Sequence, residues 1–188
     1  CLTNLPKKVV VVDIDKNLGK FIESVSKEHG LNIEFIEYDV AQPLPEELIG
    51  KFDVFSTEPL ETTSGFLAFL ARGMASLKQY GSGYIGLTVQ EVRFERWREF
   101  ERMILESNFV ITDILREFSR YSEEEYYEEF AKELAFNPGR NPGIYWYKSA
   151  LFRIEALGNP KPPKKPEEKI EIEVVGEEDY THPTLRKL

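Results

Sequence analysis

Lys8-Val9-Val10-Val11-Val12-Asp13-Ile14-Asp15 is the stretch whose reading decides the fold. Four β-branched residues in a row have no apolar/polar alternation. That is the habit of a strand covered on both faces, as in a parallel sheet. An acid, Asp13, stands where this strand would emerge. Open α/β sheets bind their ligands beyond the carboxyl ends of the strands, and a carboxylate there can accept hydrogen bonds from both hydroxyls of a ribose. Asp13 is read as that carboxylate. The plainer alternative is an acidic cap on the helix that follows.

Working outward, Leu2 to Leu5 look like a helix end stopped by Pro6. On the other side, Asn17 to His29 carries Leu18, Phe21, Ile22 and Val25 at helical spacing and closes at Gly30. A strand over Ile33, Phe35 and Tyr38 ends at Asp39, and Pro43 and Pro45 mark a loop before a helical turn at Glu46 to Ile49. Phe52 to Thr57 is a third strand, ending at Glu58-Pro59-Leu60-Glu61. Thr62 to Gln79 predicts a helix broken by Gly81 and Gly83, Tyr84 to Thr88 a strand, and Glu91 to Ser107 an amphipathic helix. Phe109 to Phe118 is a long strand and Tyr121 to Leu134 an acidic, aromatic helix. A turn cluster at Asn137 to Gly143 precedes the last strand, Tyr145 to Leu157. Prolines 160, 162, 163 and 166 among lysines read as a linker, with a short edge strand at Ile170 to Val175.

Strand–helix alternation followed by two closing strands predicts an α/β fold, a doubly wound, mostly parallel sheet with an antiparallel C-terminal hairpin. This is the class I methyltransferase (Rossmann-like) arrangement. That arrangement normally opens with a strand and a glycine-rich turn, which the sequence does not show ahead of Lys8. The expectation is therefore an N-terminally incomplete catalytic domain over residues 1–157, with a linker and tail over 158–188.

Composition bounds the function. The chain has 188 residues, 41% hydrophobic and 30% charged, ordinary for a globular protein. No apolar run approaches the roughly 20 residues of a membrane span. A single cysteine, Cys1, rules out an internal disulfide framework and fits a cytoplasmic setting. His29, His182 and Cys1 offer no metal-ligand spacing, so no metal is expected. A net charge of -9 argues against nucleic acid and suits a cationic small molecule. Abundant Lys and Glu beside scarce Cys and Met is the bias of heat-adapted proteins.

Three strands in succession end in acid, at Asp13, Asp39 and Glu58. In one parallel sheet these ends share an edge. Asp13 would hold ribose hydroxyls and Asp39 an adenine amino group. Glu58 and Glu61 would meet a cationic, proton-losing substrate.

Asp13-Ile14-Asp15 resembles the Glu-Ile-Asp of spermidine synthases, and Phe52-Asp53-Val54-Phe55-Ser56-Thr57-Glu58 their Tyr-Asp-Val-Ile-Ile-x-Asp. A fuller resemblance, in register from about residue 5 to 157, is to the branched-chain polyamine synthases, or N(4)-bis(aminopropyl)spermidine synthases. It rests on Val12-Asp13-Ile14-Asp15, Pro43-Leu44-Pro45, Lys51-Phe52-Asp53 and Thr57-Glu58-Pro59-Leu60-Glu61-Thr62. It continues through Trp97-Arg98-Glu99, Val110-Ile111-Thr112-Asp113-Ile114, Trp146-Tyr147-Lys148-Ser149 and Phe152-Arg153-Ile154. The family usually has Asp-Pro-Pro-Glu at positions 58–61, and its Gly-Asp-Asp-Asp run would lie ahead of residue 1.

The resemblance implies aminopropyl transfer from decarboxylated S-adenosylmethionine, as co-substrate, to spermidine, with methylthioadenosine as product and no further cofactor. It implies catalytic roles for Glu58 and Glu61, nucleoside contacts at Asp13, Ile14, Asp39, Val40 and Thr57, and polyamine contacts at Glu58, Pro59, Tyr121, Trp146 and Tyr147. A polyamine amine has a pKa of about 10, so carboxylates would first hold the cation and then accept its proton. For Glu123 to Glu125 a solvated helix face is the preferred reading over polyamine attraction; for Trp146 core packing competes evenly. Two other functions fit less well: a methyltransferase, and a non-catalytic nucleoside-binding or interaction domain. No nucleic acid or membrane partner is expected, and a homodimer is compatible with the reading.

Overall fold

The computed structural model describes residues 6–88, 92, 94–120 and 148–173. The chain divides into two compact units, Cys1–Pro43 and Leu44–Leu188.

In the first unit, strand β1 (Val9–Asp13) pairs in parallel with β2 (Ile33–Glu37), from Val9 opposite Ile33 to Asp13 opposite Glu37. Helix α1 (Lys16–His29) makes the crossover. Its ends carry the expected signals. Asp15 accepts the Asn17 N–H as N-cap, and Gly30 (φ 61°) takes the left-handed turn that other residues resist. The helix lies close on the sheet because Gly19 has no side chain: a Cβ there would stand 2.5 Å from the Phe35 ring.

The second unit opens with a 3₁₀ turn (Glu46–Leu48) and continues through β3 (Phe52–Thr57), α2 (Thr63–Ser76), β4 (Leu77–Thr88), α3 (Phe94–Glu106), β5 (Phe109–Arg120) and β6 (Lys148–Ala156). The strand order is β3-β4-β6-β5. β3 and β4 are parallel, whereas β6 runs antiparallel to both of its neighbours, β4 and β5. The last strand thus lies between β4 and β5. The antiparallel hairpin predicted from the sequence is present over the described residues.

Phe66, Leu70 and Met74 of α2, Ile85 and Leu87 of β4, Phe100 and Ile104 of α3, Phe109 of β5 and Phe152 and Ile154 of β6 form the core. The two helices meet through Phe66 and Phe100, whose rings stack at 3.8 Å and 7°. Full burial of each such side chain is worth about 1.5–3 kcal/mol, so the apolar faces rather than helix propensity hold these elements in place.

One boundary differs from the sequence expectation. The helix ends at Ser76, three residues early, and β4 begins at once, running through Gly81 and Gly83 instead of breaking there. Phe55 explains it. Its ring fills the space that Gly73 of α2 and Gly83 of β4 leave open: added Cβ atoms would lie 2.6 Å and 2.5 Å from it. The two glycines are clearance for an aromatic ring, and β-ladder pairing to β3 and β6 carries the strand through the second.

The stretch from Gly158 to Glu173 has little regular structure but is bonded to the unit along its length. Lys161 N–H donates to Ser107 O (3.0 Å) and Leu44 N–H to Pro166 O (2.8 Å). Arg72, 4% exposed, donates from its guanidinium to the carbonyls of Lys165, Pro166 and Glu168 at 3.2, 3.1 and 2.6 Å. Proline-rich chain has few N–H groups to build a ladder, and a forked five-donor side chain is suited to bare carbonyls. Residues 170–173 form no strand; Thr62 Oγ1 donates to Glu173 O and Glu173 N–H to Ser64 Oγ. The expected helices at Leu2 to Leu5 and Tyr121 to Leu134, and the turn cluster at 137–143, lie outside the described residues.

Gly83→Ala is expected to lower stability to urea by about 1–3 kcal/mol through overpacking. Phe55→Leu in the same chain should recover part of that loss, because the two sites share one space. Additive losses in the double variant would refute the clearance explanation.

Candidate functional site

Each unit carries acids at the carboxyl edge of its own parallel strands. In the first unit Asp13 is the last residue of β1. Its Oδ1 accepts the N–H of Asp15 at 2.8 Å, and Asp15 in turn accepts the N–H of Asn17 at 2.8 Å. The cap of α1 is therefore Asp15, and the alternative of Asp13 as that cap does not hold. Ile14, between them, is 65% exposed, an open apolar surface beside the acid. Asp39 lies two residues past β2. Its Oδ1 accepts Ala41 N–H (2.9 Å) and its Oδ2 the Gln42 side-chain amide (3.3 Å), an Asx turn that fixes the carboxylate. Tyr38 N–H closes onto Asp13 O at 2.9 Å. The register, Asp13 opposite Glu37, puts Asp13 and Asp39 at the same sheet edge.

In the second unit the residues after β3 form a short, tightly packed loop. Thr57, half-buried, is the last β3 residue, opposite Ile85. Glu58 is exposed and Pro59 buried. The Glu58 carboxyl carbon and Oε1 stand 3.2 Å from where a Cβ of Gly86 would be, so this acid lies over β4 at a position with no side chain. Leu60, at the position where the resembling family has proline, packs onto α2 at Gly65: a Cβ there would meet Leu60 O at 2.6 Å. Thr62 caps the helix by accepting Gly65 N–H at 3.1 Å.

Glu61 is placed differently from Glu58. It is 8% exposed, its Oε1 accepts the N–H of Thr88 (2.5 Å), and its Oε2 accepts the Thr88 hydroxyl (2.7 Å). Arg96 of α3 donates to the Glu61 carbonyl at 3.0 Å. The sequence reading gives Glu58 and Glu61 the same role, meeting a cationic substrate; the structure puts one at the surface and turns the other inward. Sequence reasoning did not single out Gly86, Thr88 or Arg96, because nothing local marks a strand-end threonine as the partner of an acid 27 residues earlier. Val40 is half-buried next to Asp39. Tyr121, Trp146 and Tyr147 lie outside the described residues, as do Glu123 to Glu125.

Parallel strand pairs with intervening helices, an antiparallel last strand beside β4, and acids after the parallel strands are the features of the methyltransferase-like class of Rossmann folds. The likeness extends to solved structures: a methyltransferase-named protein of Bacillus halodurans is 14% identical with a TM-score of 0.54, covering 83% of this chain and 84% of that one, which shows the fold alone. The family is narrower than the fold. Residues 1–182 match the family described as the branched-chain polyamine synthase A C-terminal domain, and the chain belongs to that family. Among its relatives are the N(4)-bis(aminopropyl)spermidine synthases of Thermococcus kodakarensis and Methanocaldococcus jannaschii, each 43% identical over 85% and 83% of this chain. The match covers 46% and 45% of those proteins, so the chain spans about half the length of the curated relatives it matches. The branched-chain polyamine synthase of Thermus thermophilus, solved with N4-aminopropylspermidine and 5'-methylthioadenosine, is 35% identical with a TM-score of 0.84, covering 96% of this chain and 52% of that one.

The two acids of the first unit should separate by mutation. Asp15→Ala is expected to cost about 1 kcal/mol in urea unfolding through the lost N-cap. Asp13→Ala leaves that cap in place and should cost clearly less than Asp15→Ala. A larger loss for Asp13→Ala than for Asp15→Ala would return the capping role to Asp13.

Proposed function

We propose that this protein transfers the aminopropyl group of decarboxylated S-adenosylmethionine to spermidine, making branched-chain polyamines and releasing methylthioadenosine. The observation that carries the reading is Glu58: an exposed carboxylate just past a parallel strand, laid over Gly86, in a chain of this family. The names of the relatives and the two ligands of the Thermus thermophilus structure support the choice of substrates.

The chemistry assigns separate tasks to the acids. The sulfonium of the co-substrate activates the carbon next to it. The nitrogen lone pair attacks that carbon, the carbon–sulfur bond breaks, and methylthioadenosine leaves neutral. Positive charge thereby moves from sulfur to nitrogen. A carboxylate fixed near the nitrogen is stabilised more in the transition state than before it, which is the condition for catalysis. The amine must first lose a proton. With a pKa of about 10, roughly one molecule in 10³ is neutral at pH 7, a cost of about 4 kcal/mol. Glu58 holds the cation and accepts the proton as the amine approaches. Asp13 takes the ribose hydroxyls, Asp39 faces the adenine, and Ile14, Val40 and Thr57 line the nucleoside. Pro59, Tyr121, Trp146 and Tyr147 complete the polyamine side.

A branching enzyme attacks with a secondary amine in mid-chain, so its product is a tertiary or quaternary amine. Incubation with decarboxylated S-adenosylmethionine and spermidine, followed by chromatography, should show N4-branched products. Glu58→Gln should slow their formation by about 10²-fold or more. Linear spermine alone would reject the branching assignment, and methyl transfer from S-adenosylmethionine would replace it with a methyltransferase.

Asp13→Ala should weaken methylthioadenosine binding by about 1.5–3 kcal/mol, the loss of hydrogen bonds to a charged group. Unchanged affinity by calorimetry, in a variant with wild-type circular dichroism, would end the ribose role.

A further inference from the structure

We infer that Glu61 is not a second proton acceptor but a positioning residue: with Thr88 it forms a clamp that holds Glu58 over β4. The inference rests on the functional reading above, in that the group being positioned is the one proposed to meet the amine.

Both carboxylate oxygens of Glu61 are engaged by one residue. Thr88 gives its N–H to Oε1 and its hydroxyl to Oε2. Thr88 is the last residue of β4, 3% exposed, and is held opposite Ser149 of β6. It is a fixed point on the central sheet. Glu61 is likewise fixed from behind, with its carbonyl on the Arg96 guanidinium of α3 and the next residue, Thr62, capping α2. A buried carboxylate bonded in this way has little freedom to swing toward a substrate and return.

The geometry of the strand connects this clamp to Glu58. Residues two apart on a strand point to the same face, about 6.5–7 Å apart. Gly86 and Thr88 are such a pair, and the loop lays Glu58 on the first and Glu61 on the second. Two loop residues, Pro59 and Leu60, lie between the two acids, and Pro59 is buried. Release of Glu61 from Thr88 loosens the loop that carries Glu58. Gly86 contributes by leaving open the place where a side chain would push Glu58 away.

The test uses the full-length protein with decarboxylated S-adenosylmethionine and spermidine, and steady-state rates across pH. Thr88→Val keeps the shape and removes the hydroxyl; it should lower kcat about tenfold and leave KM for the sulfonium co-substrate unchanged. Thr88→Ser, which restores the hydroxyl, should recover most of the rate. Glu61→Gln should lose less than tenfold, since its amide oxygen still accepts Thr88 N–H and its NH2 donates to the hydroxyl oxygen. Its kcat/KM should keep the acidic limb of the pH profile, whereas Glu58→Gln should abolish that limb. A Thr88→Val protein with a lower Tm but wild-type kcat would reduce the clamp to a stability element. Loss of the acidic limb in Glu61→Gln would make Glu61 itself the acceptor. Either result overturns the inference. If the wild type forms no aminopropylated product, the functional reading fails, and crystal structures of the wild type and Thr88→Val judge the clamp. Glu58 should leave its place over Gly86 in Thr88→Val and return in Thr88→Ser, and an unmoved Glu58 would refute it.

Discussion

A carboxylate removed from water costs several kcal/mol unless its oxygens are hydrogen-bonded. In this chain that requirement shapes the region where chemistry is proposed. Glu61 satisfies it through the N–H and hydroxyl of Thr88, and in doing so ties the end of β3 to the end of β4. The helix that follows inherits a fixed start, because Thr62 is both the next residue and the α2 cap. Arg96 brings α3 to the same point. What is left facing outward is Glu58, three residues earlier and over a glycine. An interior acid therefore fixes the loop that carries a surface one.

The first unit solves a similar problem with shorter-range bonds. Asp13 and Asp39 each accept a backbone N–H two residues ahead, so both side chains are oriented by bonds local in sequence. Such turns hold an acceptor still while leaving lone pairs for a ligand. Hydroxyl recognition needs this kind of rigidity, since two donors on a ribose must meet oxygens already in place. Proton acceptance from an amine also needs a carboxylate whose position is set before the substrate arrives. Which carboxylates are presented and which is enclosed supports the roles proposed for Asp13, Asp39 and Glu58.

Much of this was legible in the sequence. The valine run with a terminal acid, the helix closed by Gly30, and the strand at Phe52–Thr57 are local signals, and the structure has each of them as an element. The valine strand is half-buried and not covered on both faces as its composition predicts, with Val12 42% exposed. The acids after three strands were visible as a pattern. What could not be read depended on contacts distant in sequence. The passage of β4 through Gly83 depends on Phe55, nearly 30 residues upstream, whose ring needs the space over that glycine. The binding of residues 165–168 to Arg72 has no signature beyond a proline-rich composition, which by itself reads as a linker. The inward turn of Glu61 could not be distinguished from the outward turn of Glu58, since both are glutamates around a proline in one loop. Only the position of Thr88 separates them.

The most direct measurement is a crystal structure of the full-length protein with methylthioadenosine and spermidine bound. The account requires the ribose hydroxyls on the Asp13 carboxylate, the mid-chain spermidine nitrogen within hydrogen-bond distance of Glu58, and Glu61 still bonded to Thr88. A ribose held elsewhere, or a spermidine nitrogen on Glu61 with Thr88 released, would contradict it.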